Sequence, residues 1–264
     1  MTGDPRQGGG PPSEEEAGGH HQRSGPPVRR GAALPPSGVL DQAHTWRLSE
    51  MDLFADLSLQ EMQRIADAAP MRPVERGALV YSPHRPVEIL FILKKGRVRL
   101  YYTASDGRSL TTAIITPGEL FGDMAPLGQR MGDSYAEMLE PGVLCLMSRA
   151  DVQRLLLSDL RIVTRITDAL GRRVGELERR LADTVLKPVP SRVCAALATL
   201  AGSPPVPVRL THEQLADLVG TTRETTTKVL GDLRERNLVK VRRGRIEVLD
   251  PLRLTELAAA PDSW

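Results

Sequence analysis

The chain has 264 residues, 41% of them hydrophobic and 26% charged, with a formal net charge of +2. That length leaves room for two domains that each bury a core, and the near-balanced charge excludes a globally polybasic protein. Its two cysteines, Cys145 and Cys194, exclude a disulfide framework. Each lies inside an apolar run, 143–147 and 193–197, and reads as a small buried residue in a reducing cytoplasm. No apolar run is long enough to cross a bilayer, and the start of the chain has no signal-peptide h-region, so neither a membrane nor export is expected.

Residues 1–45 are rich in Gly, Pro and charge without apolar periodicity, and are expected to form a disordered tail. The neighbouring His20 and His21 have no further ligands beside them, so no metal is expected there. The apolar positions Leu53, Phe54, Leu57, Leu59, Met62, Ile65 and Ala66 predict a helix over 53–69, ended by Pro70. Short segments rich in β-branched and aromatic residues follow at 79–81, 89–93, 97–102, 110–115, 119–121, 135–139 and 143–147. They are punctuated by Gly96, Gly107, Gly118, Gly128 and Gly142, which predicts an antiparallel jelly roll over 46–150. Ser105-Asp106-Gly107 is a hairpin signal. This region supplies only His84, too few ligands for a metalloenzyme of the same roll.

From 151 to 187 the chain reads as helix. Leu170, Val174, Leu177 and Leu181 step by four, three and four, a heptad seam that predicts a two-chain coiled coil and hence a homodimer. Pro188 and Pro190 mark a hinge, with a further helix beyond Pro190 carrying Val193, Ala196, Leu197 and Leu200.

The most informative stretch lies within the final segment, 188–264. Thr211 and Gln214 have capping-box spacing, Leu215, Leu218 and Val219 share a face, and Gly220 stops that helix. A second helix starts at once, capped by Thr221 or equally by Thr222. Thr226, Val229, Leu230 and Leu233 fall on one side of it. Arg223, Glu224, Thr227, Lys228 and Arg234 fall on the other. Arg fits guanine O6 and N7, Glu accepts from cytosine N4, and Lys serves guanine or phosphate. After Asn237, two short strands enclose Arg242-Arg243-Gly244-Arg245, a wing with a basic tip. Such a charged face on a lone helix is ordinarily solvated surface; the capped partner helix, the tight turn and the wing direct this one toward double-stranded DNA. Thr222, Thr225, Arg242, Arg243 and Arg245 are expected on phosphates, with His212 as a helper.

The run Thr222-Arg223-Glu224-Thr225-x-x-Lys228, followed by Leu230-x-x-Leu233, resembles the Arg-Glu-Thr-x-x-Arg recognition helix of the Crp/Fnr family of bacterial transcription regulators. Lys228 departs from it, a point charge where the family commonly has a second forked Arg. Phe91-Ile92-Leu93-Lys94-Lys95-Gly96-Arg97-Val98 and Thr116-Pro117-Gly118-Glu119-Leu120-Phe121-Gly122-Asp123 are similar to strands and cassette entry of that family's cyclic-nucleotide-binding domain. The resemblance implies an α+β fold: a cyclic-nucleotide-binding-type β jelly roll, a long dimerisation helix and a C-terminal winged helix-turn-helix. It also implies RNA polymerase as a partner and activation of transcription.

In the family's cyclic-nucleotide binders the cassette reads Gly-Glu-Leu and then Arg-Ser-Ala, the Glu holding ribose and the Arg the phosphate. The matching positions here are Gly122-Asp123-Met124 and Asp133-Ser134-Tyr135, and the purine-contacting Thr-Ser pair falls on Leu177-Glu178. An Asp in place of the Arg reverses an interaction on the order of 4 kcal/mol at ~4 Å and an effective dielectric of ~20. The pocket is therefore expected to be degenerate and independent of cyclic AMP, unless Arg130 shifts to replace the missing cation. No cofactor is expected: the family's iron–sulfur sensors need an N-terminal cysteine cluster, and His84 stands alone as a haem ligand. The effector is left unknown. A sensing module acting through protein partners is the rival reading; an enzyme is not expected, since no nucleophile–base pair, carboxylate dyad or metal spacing is found.

Overall fold

The computed structural model describes Phe54 and residues 57–259. The tail with His20 and His21, Leu53 and the last residues, expected to fray, lie outside the described residues.

Helix α1 (Leu59–Ala68) begins six residues later than its apolar pattern predicts. Ser58 is the reason. Its hydroxyl accepts from the Glu61 backbone N–H at 3.3 Å, and the Glu61 carboxylate accepts from the Ser58 N–H at 2.7 Å. This reciprocal box satisfies two donors that the helix start leaves free and fixes Ser58 in extended geometry. Phe54 and Leu57 still pack in the cluster that buries Met62, Ile65 and Ala66, but Leu59 of the predicted apolar face is 71% exposed, so the periodicity misplaced that residue as well as the helix boundary.

Eight strands follow: β1 (Met71–Val74), β2 (Leu79–Tyr81), β3 (Ile89–Lys95), β4 (Val98–Thr103), β5 (Ser109–Ile115), β6 (Leu120–Gly122), β7 (Tyr135–Met138) and β8 (Gly142–Ser148). They form two four-stranded sheets, β1-β8-β3-β6 and β2-β7-β4-β5, antiparallel at every pairing. This is the expected jelly roll. Between the sheets lie Phe91, Leu93, Val98, Leu100, Ile115, Phe121, Met138 and Leu144, with Phe91 and Phe121 stacked at 5.1 Å between ring centroids. β1 has no alternating signature and was not predicted. It is an edge strand, where Pro73 costs no ladder hydrogen bond to a second neighbour. Gly122 ends β6 at φ +131, where an added Cβ would collide with the Ile89 carbonyl, so this position demands glycine for the sheet irrespective of any ligand.

A short α-helical turn (Arg149–Asp151) runs into a π-helical turn (Val152–Leu156), and the chain leaves helix at 157–159 before the long helix α2 (Leu160–Leu186), so the helix read from 151 to 187 is interrupted, with Asp159 capping its second part through the Arg161 N–H. Its first turns bury Ile162 and Ile166 against α1 and the first sheet. α2 stops at Lys187, which is extended, and α3 (Val189–Ala201) starts before Pro190 rather than after it. Proline in the first helical turn lacks only an N–H that would have no partner there. The remainder is a head with its own core: α3, α4 (His212–Val219), α5 (Arg223–Glu235), the hairpin β9 (Val239–Arg242) and β10 (Arg245–Val248), and α6 (Pro251–Ala259). Leu197, Leu215, Leu230, Leu233, Ile246 and Leu254 fill it.

Candidate nucleic-acid interface

The head is built from capped helices in close succession. Thr211 accepts from the Gln214 N–H at 3.1 Å while Gln214 accepts from the Thr211 N–H at 3.0 Å, opening α4. Gly220, at φ 68, closes it and reverses the chain. Of the two candidate caps for α5, Thr222 serves: its hydroxyl accepts from the Thr225 N–H at 3.2 Å. α5 then divides as its periodicity predicts. Thr226, Val229, Leu230 and Leu233 are buried, and Arg223, Glu224, Thr227, Lys228 and Arg234 are exposed. Thr222 is exposed and Thr225 half-buried at the same end.

Thr227 is also committed within the protein. Its hydroxyl donates to the Arg223 carbonyl at 2.8 Å and meets Nδ1 of His212 at 2.9 Å. Burial first, and then the nearby Arg223 charge, hold the His212 imidazole below the ordinary histidine range. Both effects favour the neutral imidazole, which offers a hydrogen bond rather than a charge. The wing follows from Asn237, at φ 58, and turns at Gly244, at φ 65. Arg242 and Arg243 are exposed at its tip, and Arg245 is paired with Glu247 at 3.0 Å.

The head is docked on the roll through contacts that local periodicity does not predict. Arg99, on β4, is buried and its Nη2 pairs with the Asp217 carboxylate of α4. Nε of Arg99 donates to the Thr111 hydroxyl at 2.8 Å, and the guanidinium lies 4.2 Å over the Tyr101 ring. Burial pushes the Asp217 carboxyl up, against the pull of Arg99. Glu140 lies 3.9 Å from both Arg97 of the roll and Arg209 of the head, and Arg97 donates to the Leu200 carbonyl at 3.3 Å. Leu139, from the β7–β8 turn, is buried in the head's own core.

The cassette positions are turned partly inward. Met124 is fully buried, and the Ser134 hydroxyl donates to the Met131 carbonyl at 2.5 Å. Asp123 accepts from the Tyr81 hydroxyl at 3.5 Å and lies 3.5 Å from Arg130, while Asp133 is exposed. Asp123 and Arg130 line a cavity of about 300 Å³ with Glu88 and Arg149. A larger cavity, about 750 Å³, lies between β5, the β5–β6 turn and α2, and was not predicted. Lys95, Arg172, Arg173 and Arg180 line it with Glu119 and Glu176. Burial lowers the Arg173 guanidinium pKa, opposed by Glu119 and Tyr102.

Along α2, Leu170 packs partly against the roll, whereas Val174, Leu177 and Leu181 are 55%, 40% and 70% exposed. Val185 and Leu186 extend that uncovered apolar stripe. Glu178 is exposed beside it. Among the described residues there is no cluster of potential metal ligands, and no helix is long and apolar enough to cross a membrane. Both thiols are buried, which raises Cys145 to about 11 and Cys194 to about 12.

Two family models match the chain: a cyclic nucleotide-binding domain over residues 71–159 and a Crp-like helix-turn-helix domain over residues 191–257. The transcriptional regulator SdrP of Thermus thermophilus is 31% identical over 184 residues, 66% of this chain and 85% of its own length. The cyclic AMP receptor protein of the same organism is 29% identical, covering 78% of this chain and 96% of its own. A solved Crp/Fnr-family transcriptional regulator from Thermus thermophilus matches with a TM-score of 0.60 at 25% identity, covering 73% of this chain and all of that one. The fold and the head together define a DNA-binding transcription regulator rather than an enzyme. The chain belongs to the Crp/Fnr family.

Replacing Arg99 with Met strands the Asp217 carboxylate and is expected to cost about 3–5 kcal/mol. Replacing both, Arg99→Met with Asp217→Leu, is expected to recover most of that loss in urea denaturation. Equal losses in the single and double variants would exclude a paired role.

Proposed function

We propose that the chain binds a pseudo-palindromic promoter site as a homodimer and activates transcription without cyclic AMP. The observation that carries this is the division of α5, with Arg223, Glu224 and Lys228 free at its exposed N-terminal half while the opposite face anchors the head. In this reading Arg223 and Glu224 read a G·C-containing half-site. Thr222, Thr225, Arg242, Arg243 and Arg245 hold phosphates, and His212 and Thr227 support the helix start. The exposed stripe Val174, Leu177 and Leu181 is the seam for a second copy, with Leu170 at its edge. Two-fold symmetry then spaces the recognition helices about 34–36 Å apart, on successive major grooves.

The corresponding division of the chain is a roll over 46–150, a dimerisation helix over 151–187 and a DNA-binding head over 188–264, preceded by a tail over 1–45. The site of action is the cytoplasm, and the protein partner for activation is RNA polymerase. Independence from cyclic AMP is supported by Asp133, which presents a carboxylate where the family's phosphate-binding Arg belongs, and by Leu177 and Glu178 at the purine-contacting pair. A second reading rests on Arg130, whose guanidinium faces Asp123 across the smaller cavity and is 70% exposed, free to turn toward a phosphate. The similarity to a cyclic AMP receptor protein keeps that alternative in view.

Calorimetry with the purified protein is expected to detect no micromolar cyclic AMP binding; binding abolished by Arg130→Ala would establish the second reading instead. Arg223→Ala is expected to cost about 1–3 kcal/mol on specific DNA and to relax one base position, whereas Arg243→Ala weakens specific and random DNA alike. Identical behaviour of these two variants would refute the assigned roles. Leu181→Glu is expected to convert a sedimenting dimer to monomer; a wild-type monomer at micromolar concentration would remove the paired arrangement.

A further inference from the structure

His212 opens α4 and reaches across to the first turns of α5, where it is half-buried. The hydroxyl of Thr227, which it meets there, has a single proton to give. That proton goes to the Arg223 carbonyl at 2.8 Å, so across the 2.9 Å to His212 the donor is Nδ1 of the ring. In the neutral imidazole the second nitrogen, Nε2, is then a bare acceptor. Nε2 has no hydrogen-bond partner among the described residues and is open to solvent.

The helices α3 and α5 and the strand β5 pack on α4. α5 brings Arg223, Glu224 and Lys228 to this end, and of these Arg223 acts on the imidazole, adding to the effect of burial. α3 brings the buried Cys194 and Arg192, which donates to the Val219 carbonyl at the far end of α4 at 2.6 Å. β5 carries no ionisable side chain, and Arg99 of the neighbouring strand β4 is paired with Asp217. Glu213, next to His212, is exposed and acts on Asp217 instead. Among the described residues no carboxylate offsets Arg223 at the ring, so the free protein disfavours the imidazolium. A polyanion drawn to Arg223 reverses that balance. It screens the Arg223 charge, and its oxygens face a bare nitrogen that repels them until it is protonated.

We propose that the protein takes up a proton at His212 when it binds DNA, the imidazolium then donating from Nε2 to a backbone phosphate, so that DNA affinity is set by pH. The phosphate raises the imidazole pKa in the complex above its value in the free protein. Affinity is therefore greatest at pH below the free value, declines as pH rises from that value to the one in the complex, and is lowest above both. Each half-site contributes one such proton. The proposal rests on the reading of the head as a DNA-binding surface.

The test is titration of the full-length protein, at fixed ionic strength between about pH 5.5 and about pH 8, with a duplex that it selects from a random-sequence pool. Wild-type affinity is expected to fall as pH rises, by at most about tenfold per pH unit for each half-site. Calorimetry in two buffers of different ionisation enthalpy is expected to count protons taken up on binding. His212→Arg, a permanent cation, is expected to bind as tightly as the acid form at every pH. His212→Gln, which carries no charge, is expected to give a flat profile that meets wild type only at the alkaline end. The proposal is overturned if wild-type affinity is flat with pH and no proton is taken up, or if the pH profile survives in His212→Gln, which would place the proton on another group. If wild type selects no duplex from the pool at any pH, the DNA-binding reading itself has failed, and this proposal with it.

Discussion

The buried pair of Arg99 and Asp217 sets where the recognition helix points. β4 is an inner strand of its sheet, held by β5 and β7, so Arg99 is anchored by ladder hydrogen bonds on both sides. Asp217 lies within α4, whose capped ends fix the turn into α5. A charge pair taken out of water tolerates little displacement, because separating it leaves each charge with its full desolvation cost. Moving the head about this point is therefore costly. Leu139 and the partly buried Ile114 add apolar contact at the same junction, and Glu140 ties Arg97 to Arg209.

One helix serves two different environments along its length. The first turns of α2 bury Ile162 and Ile166 against the roll, and Leu170 is half covered there. Beyond Leu170 the apolar stripe turns outward through Val174, Leu177, Leu181 and Val185, while Arg173 and Arg180 turn toward the cavity beside β5. Arg180 donates to the Thr112 carbonyl at 3.2 Å, and Glu176 accepts from Arg180 at 2.8 Å. The same 3.6-residue period thus generates an apolar edge and a basic cavity wall on one helix.

Part of the cassette is fixed by the packing of the roll itself. Gly122 retains a conformation that only glycine takes without strain, and its neighbour Met124 is packed into the cluster under α1. Sheet geometry accounts for those two residues without any ligand. Asp123, facing Arg130 and Tyr81, is the part of the cassette whose chemistry stays open toward solvent.

Amino-acid order alone determined what depends on neighbours within a few positions. Thr211 with Gln214, a cap at Thr221 or Thr222, Gly220 as a helix stop and the two faces of α5 all follow from helix geometry and local hydrogen bonding; the choice of Thr222 came from the fold. Runs of β-branched and aromatic residues punctuated by glycine likewise located seven of the eight strands of the roll. Amino-acid order also predicted a helix over 53–69, and there the local signal at Ser58 and Glu61 outweighs the apolar period. Only tertiary structure decided the edge strand β1, the pairing of Arg99 with Asp217 across 118 positions, and the basic cavity beside α2. Those contacts join residues far apart in the chain, and a charge pair or a junction between two packed bodies leaves no period for the sequence to display.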